Sequence, residues 1–179
     1  MRIAAANEND LDAAFAIIGA CRKALEARGL QQWDAQYPNR TFFAEAIAKR
    51  NLFVLRDEDR IKGVVVLNEW QPPEWGAADW HEQEAHPLVI HAFAIAPQIQ
   101  GNGHGRALLK FCEDFARDHG YTSIRLDAFP ENTIASRFYE RHGYVFRGAI
   151  HFASKPVGHQ EYFCYEKSLS GAIARGEGG

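Results

Sequence analysis

The chain has 179 residues, the size of one domain with its own core, and its balance of 46% hydrophobic and 24% charged residues is that of an ordinary globular protein. A formal net charge of −3 and a pI near 6.2 argue against bulk nucleic-acid binding. Cys21, Cys112 and Cys164 are odd in number, far apart and outside any CxxC pair, which predicts buried thiols in a reducing cytoplasm. The apolar stretch 13–21 is too short to cross a bilayer, and the acids Glu8, Asp10 and Asp12 before it oppose a signal peptide.

In chain order, residues 2–6 predict a short strand. Asn7 caps a helix that carries Leu11, Phe15, Ile18, Cys21 and Leu25 at helical spacing and stops before Gly29. Residues 30–37, LQQWDAQY, read as a short helix or an ordered loop. Trp33 and Tyr37, four apart there, either pack into the core or line a pocket. Residues 41–50 predict a second helix. Residues 51–56 and 61–70 predict a hairpin around a polar turn, with Gly63 marking a bulge. Residues 71–87 have no period, and the tryptophans Trp75 and Trp80 within them favour a lid or a partner surface. His81, His86 and His91 have no Cys or HExxH companion and read as surface or loop residues, so no metal is expected.

Residues 88–96 predict a strand ended by Pro97. Gln100-Gly101-Asn102-Gly103-His104-Gly105-Arg106 follows, and then a helix with Leu108, Leu109, Cys112, Phe115 and Ala116 on one face, closed by Gly120. A further strand (123–129), a helix (133–141) and two strands (144–150 and 161–167) complete a single domain over 1–169. Residues 170–179 predict a flexible tail.

A glycine loop opening a helix leaves backbone N–H groups unpaired at the positive end of the helix dipole, which suits a phosphate. A P-loop needs a lysine that is absent here. The dinucleotide fingerprint fails because Arg106 or Leu108 stands where its last glycine belongs. Gln-x-x-Gly-x-Gly does fit, as Gln100, Gly103 and Gly105. A plain helix-capping turn is the alternative.

That pattern resembles the pyrophosphate loop of the GNAT acyltransferase superfamily. Asn132, Ala135, Phe138-Tyr139-Glu140 and Gly143-Tyr144 resemble the second hallmark of the same superfamily, in the usual order and at the usual distance. The resemblance implies an α/β fold of the α+β type. Its central sheet is mixed and mostly antiparallel, with about six to seven strands and about four flanking helices, and a splayed strand pair forms the coenzyme A cleft. It implies acetyl-CoA as acyl donor and direct transfer to a primary amine in a ternary complex.

By the same resemblance, Gln100, Gly101, Asn102, Gly103, His104, Gly105 and Arg106 hold the pyrophosphate, and Phe93, Ala94 and Ile95 lie along the pantetheine arm and supply an N–H for the oxyanion. Asn132, Ser136 and Phe138 complete the coenzyme contacts, and Tyr139 gives a proton to the leaving thiolate. Glu69 is the first candidate for the base that deprotonates the amine. His91, on one strand face with Phe93, is the second, and a water chain is the third option. Trp33, Tyr37, Trp70 and Phe152 are candidate walls of an acceptor pocket. A non-catalytic acyl-CoA sensor is the competing class, and an interaction protein that forms a homodimer is a third reading, compatible with the first. Neither a nucleic acid nor a membrane is expected as partner.

Overall fold

The computed structural model describes residues 1–81 and 86–169, so the tail expected over 170–179 lies outside the described residues. Two compact units emerge, residues 1–68 with 90–112, and residues 69–89 with those from 113 onward. The first contains β1 (Arg2–Ala5), α1 (Leu11–Glu26), α2 (Arg40–Ala48), β2 (Leu52–Asp57) and β3 (Arg60–Asn68). Strand β4 (Pro87–Ile95) and helix α3 (His104–Asp118) each run through both units. The second contains β5 (Ser123–Ala128), α4 (Thr133–Arg141), β6 (Val145–His151) and β7 (Glu161–Ser168). The seven strands follow the order β1-β2-β3-β4-β5-β7-β6. Pairs β1–β2, β2–β3, β5–β7 and β6–β7 are antiparallel and β4–β5 is parallel, giving the expected mixed, mostly antiparallel sheet.

In the first unit, side-chain caps set the helix starts. Asn7 and Asp10 form a capping box on the short turn Glu8–Asp10 that leads into α1, and the Asn39 side chain accepts the Phe42 N–H at the start of α2. Residues 30–37 form a loop, because the Asp34 carboxylate takes the N–H groups of Gln36 and Tyr37 in a local turn that competes with a helix. Ala14, Ile18 and Cys21 of α1 and Phe43 and Ile47 of α2 pack on Leu52, Val54, Val64, Val66, Ala92, Ala94 and Ala96. Each large apolar side chain so buried contributes roughly 1.5–3 kcal/mol. The expected bulge is present: the partner of β2 jumps from Gly63 to Ile61 between Leu55 and Arg56. Gly63 itself is needed for close approach, since a Cβ there would lie 2.6 Å from Ile95 Cδ1 and 3.0 Å from Ala94 O.

Strand β4 pairs with β5 at Pro87, Leu88 and Val89. Three residues on, Ala92 has φ of +50°, a left-handed conformation that interrupts a regular strand.

In the second unit, the register puts Leu126 opposite Tyr165, and Asp127 opposite Cys164. Side chains alternate, so Ile124, Leu126, Tyr165 and Lys167 share one face and Arg125, Asp127, Cys164 and Glu166 the other. On the first face, Lys167 Nζ donates to Glu113 and to the His142 carbonyl, both at 2.8 Å. The second face corrects the expectation of a lid. Trp75 and Trp80 are 2% and 7% exposed; the Trp75 indole donates to Asp127, the Trp80 indole donates to the Trp75 carbonyl, and the Arg125 guanidinium stacks on Trp80 at 4.4 Å. These two tryptophans serve as cover for a polar sheet face, because their rings shield it while their N–H groups find acceptors.

Candidate active site

Within the first unit, the loop after β4 follows from its glycines. Gly101 and Gly103 have φ of +85° and +82°, and a Cβ on either would meet nothing within 4 Å. The first bond entering α3 runs from the Ala107 N–H to the Gly103 carbonyl at 3.0 Å. The N–H groups of His104, Gly105 and Arg106 lie ahead of it and have no acceptor among the described residues. Gly101, Asn102, Gly103 and Arg106 are exposed, so an anion can reach this end of the helix. Gln100 acts on the loop itself, because its side-chain amide donates to the Ile95 carbonyl at 2.9 Å. Cys21 Sγ donates to the same oxygen, so the end of β4 is held from two sides.

Phe93 is half-buried, whereas Ala94 and Ile95 are buried. His91 is half-buried, and its Nε2 meets Asn68 Oδ1 at 3.1 Å. Trp33 packs against the α1–α2 core and also lines an open pocket of about 430 Å³ with Arg22, Lys23, Glu26, Gln31, Asp34 and Ala35. Tyr37 does not line that pocket; it stands edge-on to Phe42 at 5.1 Å.

Within the second unit, Asn132 caps α4, its side chain accepting the Ala135 N–H. Asn132, Ser136 and Tyr139 are buried along that helix, and Tyr139 is 7% exposed. The Tyr139 ring contacts Phe138, Tyr144 and Tyr165 with centroids 5.4, 5.7 and 6.5 Å away. Glu69 is exposed and already engaged: it accepts from Tyr121 Oη at 2.9 Å and meets His86 Nε2 at 3.1 Å. Those two contacts hold its carboxyl below the ordinary range, and burial and Glu69 together push the Tyr121 phenol up to about 12. A lowered pKa makes Glu69 a weaker base. Trp70 is 60% exposed, and Phe152 stands edge-on to Tyr162 at 5.1 Å.

Sequence reasoning passed over Asp127. Trp75 Nε1 donates to its Oδ2 at 2.9 Å, while its Oδ1 has no hydrogen-bond partner among the described residues. Burial raises its pKa to about 6, against smaller opposing effects of the Trp75 bond and Lys155, with Glu74 pushing the same way as burial. The available signal was an acid at an inward position of the strand run Ser-Ile-Arg-Leu-Asp-Ala-Phe. Among the described residues no group of three or more His, Cys, Asp or Glu side chains could hold a metal ion, and no helix is long and apolar enough to cross a membrane.

Residues 18–144 match the acetyltransferase (GNAT) family. The N-acetyltransferase YesJ of Bacillus subtilis (strain 168), itself uncharacterized, is 30% identical over 131 residues, covering 70% of this chain and 71% of YesJ. A GNAT-family acetyltransferase from Streptococcus agalactiae 2603 superposes with a TM-score of 0.80 at 19% identity, over 93% of this chain and 94% of that one. YncA from Salmonella typhimurium, solved with its cofactor acetyl-CoA, superposes with a TM-score of 0.72 at 16% identity, over 99% of both chains.

Proposed function

Because the chain belongs to the acetyltransferase (GNAT) family, we propose that it transfers an acetyl group from acetyl-CoA to a primary amine by direct attack within a ternary complex. The observation that carries this reading is the row of N–H groups at His104, Gly105 and Arg106, without acceptors among the described residues, behind two glycines whose Cβ space is open. Four donors or charges suit a diphosphate there: three main-chain N–H groups and the exposed Arg106 guanidinium.

The remaining roles follow from the chemistry of a thioester. The pantetheine arm carries amides and is extended, so strand residues Phe93, Ala94 and Ile95 suit it as a hydrogen-bonding edge. An N–H in that stretch can stabilise the oxyanion that forms when the amine adds to the carbonyl. In this reading Tyr139 supplies the proton that the departing thiolate needs, and Asn132, the N-cap of α4, takes the coenzyme contacts together with Ser136 and Phe138 of that helix. For the amine's proton, Glu69 and His91 are both already hydrogen-bonded, and the pKa of Glu69 is lowered. A carboxylate with a raised pKa would do this work better.

The test is release of free thiol from acetyl-CoA in the presence of a broad panel of primary amines. The reading requires turnover with at least one amine. Tyr139→Phe should slow that turnover roughly a hundredfold or more while leaving the affinity for coenzyme A unchanged. Binding of acetyl-CoA without turnover across the panel would instead mark a sensor.

A further inference from the structure

Resting on the transferase reading above, we propose that Asp127 is the catalytic base, the carboxylate that takes the proton from the incoming ammonium, with Trp75 as the positioning residue that aims it. Leu126 and Tyr165 lie on the sheet face that meets Tyr139, whose ring is 6.5 Å from that of Tyr165. Asp127 and Cys164 lie on the opposite face. A proton donor for sulfur and a proton acceptor for nitrogen therefore stand on opposite sides of one strand, as two partners arriving from opposite sides would require.

The carboxylate is built for one more contact. Oδ2 is fixed by the Trp75 indole at 2.9 Å, whereas Oδ1 has no hydrogen-bond partner among the described residues. Asp127 is half-buried, so a ligand can reach it. Two residues on, Phe129 stacks on His159 at 5.2 Å and leans on Tyr162 at 5.6 Å, whose ring meets Phe152 at 5.1 Å. Carboxylate and aromatic faces together suit an ammonium. The charged and titratable groups facing Asp127 are Glu74 beside Trp75, Lys155 from the β6–β7 connection and Cys164 from β7. Arg125 and Glu166, one pair further along, form an ion pair at 2.9 Å, and Arg147 Nε lies 3.3 Å from the same carboxylate.

Burial supports the assignment. A shift from the ordinary 3.8 to about 6 makes Asp127 about a hundredfold stronger as a base than an exposed aspartate, yet leaves it ionised at pH 7. The ammonium N–H bond breaks and its proton goes to Oδ1. The freed lone pair forms the C–N bond, the C–S bond breaks, and Tyr139 protonates the sulfur. The second nitrogen proton returns through solvent to Tyr139, and Asp127 releases its own to solvent.

The experiment is the pH profile of kcat/KM with an amine that the panel shows to be acetylated. In the parent protein it should rise tenfold per pH unit up to about 6 and then level off. Asp127→Asn should lose that break and fall about a hundredfold on the plateau, with coenzyme A affinity unchanged. Trp75→Phe removes the hydrogen bond that favours the ionised form, so its break should move to higher pH. Carboxyl-carbon NMR of labelled aspartate provides a reading that does not depend on turnover: Asp127 should titrate near 6, and higher in Trp75→Phe. A parent profile climbing to the amine's own pKa, an Asp127→Asn profile that keeps the break, or a midpoint at the ordinary aspartate value would overturn the assignment while leaving the transferase reading intact. An absence of thiol release with every amine would bring down the transferase reading and this proposal with it.

Discussion

Gly103→Ala separates backbone strain from ligand approach. Gly103 has φ of +82° and Gly29, just past α1, has φ of +76°; a Cβ on either would meet nothing within 4 Å. Alanine at both positions therefore adds the same penalty, the left-handed conformation of an L-residue, at about 1–2 kcal/mol. For a chain of this size each kcal/mol lowers Tm by roughly 2–4 °C, so both variants should melt roughly 2–8 °C below the parent. Strain alone leaves affinity unchanged, because it is present with and without ligand. The steric effect differs: the open space at Gly103 borders the N–H groups of His104, Gly105 and Arg106, whereas that at Gly29 borders none of them. Calorimetric titration with coenzyme A should give parent affinity for Gly29→Ala and at least about a tenfold loss for Gly103→Ala, or ~1.4 kcal/mol. Equal affinities in the two variants would refute the placement of the diphosphate at this loop.

Glu166 is 1% exposed and accepts from Arg125 Nε at 2.9 Å and the His81 N–H at 2.8 Å, with Arg147 Nε at 3.3 Å. Glu166→Ala would leave buried guanidinium charge uncompensated, and urea unfolding should show about 3–5 kcal/mol of lost stability; a loss below about 1 kcal/mol would contradict the burial of that pair. All three cysteines are free and buried, and burial pushes Cys21 and Cys164 up to about 11 and about 12. A thiol dye at pH 8 should therefore label the native protein slowly and all three sites after denaturation. Rapid native labelling would show that these thiols are reachable.

The elements and the glycine loop were legible because their causes are local. Asn7 marked the first helix start in the sequence, and the structure shows Asn39 and Asn132 capping α2 and α4 in the same local way, each acting on an N–H group three residues away. The loop was marked by glycines whose positive φ needs no distant partner. Gly63 shows where local reading stops: its bulge was foreseen, but the approach of Ile95 and Ala94 that demands a glycine comes from residues more than thirty positions away.

Trp75 and Trp80 looked like lid residues because a stretch without period carries no sign of what it packs against. Their partners, Asp127 and Arg125, lie on β5. Asp127 was passed over for the same reason, since a carboxyl's pKa is set by whatever covers it, and the cover is 52 residues away in the chain. The sequence by itself determined the order of elements, the glycine loop and the two family motifs, all of which rest on short-range sterics and hydrogen bonding. Only the tertiary structure decided that β7 inserts between β5 and β6, that the tryptophans cover a polar face, and that Asp127 is a stronger base than Glu69. Register and burial are properties of segments brought together from distant parts of the chain, and no local pattern encodes which segments those will be.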